Sequence, residues 1–193
     1  MAEYNIQSYI DTIRSLLDDY RYNHSLCVAA EAKRLCEKYG GDSEKAYVTG
    51  LLHDITKNFS KEEHLKIFES SAIILTELEK DSSKLWHAVS GAEFVRLNFN
   101  LDDEIISAIK YHTTARADMP HFEKIIYLAD YTSADRTYPD VDVMRKLVDE
   151  DLDLAMHYAL KYTISDLVNK SLPIHPSTFE AYNDISLKIK KGN

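Results

Sequence analysis

Residues 51–57 read LLHDITK. An apolar run that belongs inside a protein ends in His53-Asp54, with Lys57 three residues beyond the aspartate. Burying an imidazole beside a carboxylate is costly unless each finds a partner. Two solutions exist: a structural His-Asp hydrogen bond, or a cation that both groups grip. The same run decides the fold. Ala46, Val48, Leu51 and Leu52 predict a helix carried to about Thr56, with Asp42 or Ser43 placed to cap its start.

The helical period extends in both directions. Ile6, Tyr9, Ile10, Ile13, Leu16 and Leu17 give it over residues 4–18. Leu26, Val28, Ala29, Ala32, Leu35 and Cys36 give it over 22–39, stopped by Gly40-Gly41. Ser60-Lys61-Glu62-Glu63 has the form of a capping box. Helical patterns follow near 70–80, 84–98, 102–113 and 120–132, and a long one spans 150–170. A last helix opens at Ser177-Thr178-Phe179-Glu180, another capping box. No alternating strand pattern, internal repeat or low-complexity run is present. Five glycines and four prolines are sparse punctuation, which suits long helices. The 193 residues are enough for one well-buried core. The expectation is an all-α, single-domain helical bundle over residues 1–193.

Composition narrows the function classes. Apolar residues make up 45% and charged residues 28%, ordinary globular values. No window approaches eighteen apolar residues, so no membrane span is expected. The N-terminal MAEYNIQSYIDTIRSLL carries acids where a signal peptide needs basic residues, and the expected location is the cytoplasm. Cys27 and Cys36 lie nine apart in one helical pattern, about 13 Å along its axis, too far for a bridge. The net charge of −9 argues against broad nucleic-acid binding and repels free phosphates at a distance. A phosphate ester would need a local inversion of sign, which a bound cation supplies. Exposed aromatics among the thirteen tyrosines would suit a homodimer.

Six metal-capable residues sit on helical patterns with apolar neighbours: His24, His53, Asp54, His87, His112 and Asp130. Taken singly, each has a bland alternative. His24 shares a face with Arg21 and Val28 and suits a satisfied core or surface histidine. His87, beside the single tryptophan, and His112, in step with Ile105 and Ile109, suit amphipathic core positions. Asp130 ends the apolar run KIIYLAD, where a carboxylate must be protonated, paired or metal-bound. Together, five helical segments delivering ligand-type groups inward are what a metal site in a bundle core requires. Mixed nitrogen and oxygen donors suit Fe, Mn, Co, Ni or Zn and disfavour Ca. Surface or helix-end roles are expected of His64, His121 and His157. No Walker loop or dinucleotide glycine motif exists, so any phosphate must be held by metal, basic side chains and helix ends.

The order His24 … His53-Asp54 … Asp130 resembles the HD-domain metal phosphohydrolases. The flanks HSLCVAAEA, GLLHDITK, YHTTARADM, EKIIYLADYTSADRTYP and PIHPSTFEAYN resemble the YqeK-type branch over about residues 20–183. The resemblance implies an HD-type bundle that hydrolyses diadenosine tetraphosphate symmetrically to two ADP, usually with iron. It implies His24, His53, Asp54 and Asp130 as metal ligands, with His87 and His112 facing the phosphates or holding a second ion. Asp54 would also orient the water. His87 and His112, if protonated, would donate to phosphate oxygens or the leaving ADP. Arg21, Lys57, Arg136 and the segment Pro173, Ile174, His175, Pro176, Ser177 and Thr178 would contact nucleotide. Lys57 as a helix C-cap, Arg21 paired with Asp18 or Asp19, and Pro173–Thr178 as a rigid turn are the plainer alternatives. One departure stands out: Ser133-Ala134-Asp135 precedes Arg136, where the resemblance leads to Glu-Pro-Gly, and Asp135 brings a negative charge near the phosphate site. Competing functions are another HD-type nucleotidase or cyclic-dinucleotide phosphodiesterase, and a non-catalytic nucleotide sensor that keeps the metal.

Overall fold

The structure is a computed structural model that describes residues 4–192. Residues 1–3, with which the N-terminal reading begins, and Asn193 lie outside it. The described residues form eleven α-helices and no strand. In order these are α1 Ile6–Leu16, α2 Asp19–Tyr39, α3 Ser43–Leu52, α4 Lys61–Ser70, α5 Glu77–Asp81, α6 Trp86–Asn98, α7 Asp103–Tyr111, α8 His121–Thr132, α9 Val141–Glu150, α10 Leu152–Asn169 and α11 Pro176–Gly192. A 3-10 turn, Ser83–Leu85, leads into α6.

Side-chain caps start most of these helices. Asn5, Asp18, Asp42, Asp102 and Asp151 accept from backbone N–H groups of the first turn, and Ser60 and Thr76 form complete capping boxes. Helix α3 stops four residues short of Thr56, because His53 is its C-cap. The pattern near 70–80 shrinks to the short α5. Helix α11 begins at Pro176, a residue suited to a first helical position, which lacks an N–H the helix cannot use. Helix α9 was not anticipated; Met144 and Val148 bury one turn apart, and the Tyr39 hydroxyl donates to the Val148 carbonyl at 2.6 Å. Cys27 and Cys36 are free thiols.

Two apolar clusters meet along α2 and α3. One gathers Val28, Leu35, Ile126, Leu128, Met144 and Leu160. The other gathers Ile13, Leu51, Leu52, Ile55, Val95 and Ile109. At the seam, a Cβ on Gly50 would fall 2.6 Å from Ala29 Cα. Only glycine lets α2 and α3 approach this closely. That approach sets the His24 and His53 rings 5.3 Å apart.

Candidate metal and active site

The six candidate residues converge on this seam from five segments. His24 comes from α2, His53 and Asp54 follow α3, His87 sits in the first turn of α6, His112 caps α7, and Asp130 ends α8. All are buried except Asp130, whose side chain is 19% exposed and opens to a cavity. His24 Nε2 lies 2.9 Å and His53 Nε2 3.9 Å from Asp130 Oδ1. His53 Nε2 lies 3.7 Å from Asp54 Oδ2. Two donor groups result, His24–His53–Asp130 and His53–Asp54–His112, each with its atoms within 4.8 Å of one another and sharing His53. His87 belongs to neither group.

Proton positions follow from the partners. Nδ1 of His53, His87 and His112 faces the carbonyl of Gly50, Lys84 and Ile109 at 2.7, 2.8 and 2.7 Å. A carbonyl only accepts, so each of these Nδ1 atoms carries the proton. In the neutral rings the three Nε2 lone pairs then point into the site. His87 and His112 Nε2 stand 3.2 Å apart. His53 Nε2 and Asp54 Oδ1 have no hydrogen-bond partner among the described residues. Asp54 Oδ1 does have His87 Nε2 at 3.1 Å and Lys57 Nζ at 3.4 Å, but without hydrogen-bond alignment. Orphaned buried lone pairs on nitrogen and oxygen are what a divalent transition-type cation satisfies. The residues present therefore fit a metal ion.

The HD domain family model matches residues 21–135, which carry all six candidates. The chain belongs to the HD-domain family. Similar proteins include symmetrical bis(5'-nucleosyl)-tetraphosphatases of Bacillus subtilis, 36% identical over 93% of this chain and 96% of that protein, and of Staphylococcus aureus, 32% identical over 93% of each. A crystal structure from Clostridium acetobutylicum, described as a predicted HD superfamily hydrolase involved in NAD metabolism, is 33% identical and superposes with a TM-score of 0.92. It matches 97% of this chain and 100% of its own.

Around the HD residues the basic groups divide by side. Arg21 Nη1 reaches Asp54 Oδ2 at 3.3 Å, rather than pairing its side chain with Asp18 or Asp19. Lys57 Nζ donates to His87 Nε2 at 2.9 Å. Both line a cavity of about 550 Å³ with Lys61, Lys84, Phe59 and Trp86. On the opposite side, Arg136 donates Nε to the Asp130 carbonyl at 2.7 Å and Nη2 to Asp130 Oδ1. Arg136 borders a smaller cavity of about 300 Å³ with Tyr131, Tyr138, Tyr162 and Thr113. Tyr131 and Thr113 also border a third, largely apolar cavity of about 480 Å³. From the Pro173–Thr178 segment, Pro173, His175 and Thr178 line that third cavity; Ile174, Pro176 and Ser177 do not. The Thr178 hydroxyl donates to the Thr114 carbonyl at 2.7 Å, tying α11 to the loop after His112.

Thr113 is a site neighbour absent from the candidates above, and Asp135 and His64 make contacts that their local sequence does not show. Asp135 Oδ2 contacts His24 Nδ1 at 2.8 Å. Thr113 Oγ1 lies 3.3 Å from His87 Nε2 and 3.2 Å from His112 Nε2. His64, expected at the surface, is buried, with Nδ1 2.7 Å from Ser90 Oγ. Ser90 meets Thr56, whose hydroxyl donates to the His87 carbonyl at 3.0 Å. The rings of Phe59, Phe68 and Trp86 pack around His64.

Electrostatics separate the imidazoles. Burial pushes His53 down to about 3 and His87 down to about 4, so both are neutral at neutral pH. A neutral His87 accepts at Nε2, in keeping with its contact to Lys57 Nζ. Burial also lowers Lys57. Burial alone would raise Asp54 and Asp130, but the imidazoles and cations around them hold both well below the usual carboxylate range. His24 runs the other way. Burial lowers it, yet Asp130 and Asp135 flank its two nitrogens and the net direction is up.

These shifts predict acid lability of the metal-free protein. Unfolded histidine titrates near 6.5, whereas folded His53 and His87 stay neutral until about 3 and about 4. As pH falls below about 6.5, the unfolded chain takes up protons the folded chain refuses, so stability is lost. Each imidazole costs about 2 kcal/mol at pH 5; His24 offsets part of this. The urea midpoint at pH 5 is expected below that at pH 7.5. An equal or higher value would mean that the buried rings are charged.

Proposed function

We propose that this chain is a metal-dependent phosphoanhydride hydrolase that splits diadenosine tetraphosphate symmetrically into two ADP, with iron in its centre. The carrying observation is the set of inward lone pairs lying between a basic, aromatic cavity and a tyrosine-lined one. A polyphosphate with a nucleoside at each end can lay its middle across such a centre and place one half on each side. The names of the relatives at 32–36% identity supply the substrate. We read residues 1–193 as one domain acting in the cytoplasm.

In this reading His24, His53, Asp54 and Asp130 hold the metal, and His112 joins through the second donor group. Fe is the first choice, and Mn, Co, Ni or Zn suit the same donors; the shared His53 allows one ion or two. When bound, the metal lowers the pKa of water and draws charge from a phosphoryl oxygen. The chain does the rest. Asp54 Oδ1, free of hydrogen bonds, accepts from the attacking water and aims it. Arg21 and Lys57 neutralise phosphate oxygens from one side and Arg136 from the other. His87 accepts from Lys57 and so holds the ammonium at the edge of the site. Pro173, His175 and Thr178 shape the apolar wall that can take a nucleoside.

Anaerobically purified, metal-analysed protein given diadenosine tetraphosphate is expected to release ADP alone. AMP appearing with ATP would place the cut at another bond. Binding without any product would favour the sensor reading.

A further inference from the structure

His24 is held differently from the other imidazoles of the site. His53, His87 and His112 rest their Nδ1 atoms on neutral backbone carbonyls. His24 Nδ1 instead meets a carboxylate, Asp135 Oδ2, at 2.8 Å. The carboxylate is itself fixed, because the Ser133 hydroxyl donates to Asp135 Oδ1 at 2.8 Å. The loop that carries it is pinned by Arg145 of α9, which donates to the carbonyls of Thr132, Ser133 and Arg136 at 3.0–3.2 Å. Asp135 thus reaches His24 from a braced loop. It also stands where the resemblance leads to glycine, which offers no side chain for this contact.

We infer that Asp135 is a positioning residue for the metal centre: by accepting the hydrogen bond that His24 Nδ1–H donates, it aims Nε2 at the donor group and strengthens it as a ligand. This rests on the reading of His24 as a metal ligand. A charged acceptor makes a stronger hydrogen bond than a carbonyl and leaves more electron density on the far nitrogen. It also fixes the tautomer. With Nδ1–H committed to Asp135, Nε2 alone faces Asp130 and His53.

The test is Co²⁺ binding by the full chain, measured by chelator competition and by the visible absorption of the bound ion, at a temperature where circular dichroism shows each metal-free variant folded. Asp135→Ala is expected to weaken Co²⁺ binding about 10- to 100-fold, the usual range for a partner of a metal-bound histidine. Asp135→Asn keeps an acceptor but loses the charge; it should lose less affinity and shift the visible bands at saturation. It also serves if the alanine variant does not fold. A purely structural Asp135 would lower the melting temperature and leave affinity and spectrum alone. Unchanged affinity and spectrum in the folded variants, with binding lost in His24→Ala, would overturn the inference. Wild-type affinity in His24→Ala would instead overturn the ligand reading beneath it.

Discussion

His53→Ala is expected to abolish stable metal binding and to lower hydrolysis of diadenosine tetraphosphate by about a thousand-fold, while the metal-free protein stays folded. His53 is the one residue common to both donor groups, so its loss breaks each of them. A bound metal contributes several kcal/mol of transition-state charge stabilisation. At 1.36 kcal/mol per factor of ten, losing ~4 kcal/mol gives that thousand-fold. Stability should respond differently from activity. His53 Nε2 is a buried acceptor without a partner, and removing it relieves a desolvation penalty that offsets part of the cavity left behind. Elemental analysis and a product assay read the result. Metal and turnover both surviving would mean that the ligands have been misassigned.

Gly50→Ala should be among the most destabilising single-methyl additions in the protein. The new Cβ would meet Ala29 Cα at 2.6 Å, Ala29 N at 2.8 Å and Val28 C at 3.1 Å. These are backbone atoms, so no side chain can swing aside. Helices α2 and α3 would have to part, at a cost of about 3 kcal/mol. For a chain of this size that is a fall of roughly 10 °C in melting temperature. Parting these helices also draws His24 from His53, so metal retention should fall even where the variant is folded. A melting curve that matches wild type would show that the helices are not locked at this contact.

Much of the bundle was legible because helical period and capping chemistry are local. Asp42, Ser60 and Asp102 each sit beside the apolar stripe they start. The six polar residues of the site were legible for the same reason, since apolar neighbours single out each position before any partner is known. The differences have separate causes. Helix α3 was read too long because His53 reaches back to Gly50 and ends it. Helix α9 was missed because its buried face is narrow, with only Met144 and Val148 fully covered. His87 and His112 looked equivalent in the sequence. Space separates them, His112 toward the donors and His87 toward Lys57. Asp135 and Arg136 are adjacent in sequence, yet the fold sends their side chains to opposite nitrogens of His24.

The inward donors are strung along the chain from residue 24 to residue 130, and the first of them, His24, needs Asp130, which comes last. In the ligand set proposed above, the His24–His53–Asp130 group is complete only once α8 has docked against α2, whereas the residues of the His53–Asp54–His112 group have all emerged by the end of α7. On that ligand set, an ion held by His24, His53, Asp54 and Asp130 together would be captured only by a chain already folded through α8. Selection among cations would then fall to the geometry of the folded donor set and not to the unfolded chain.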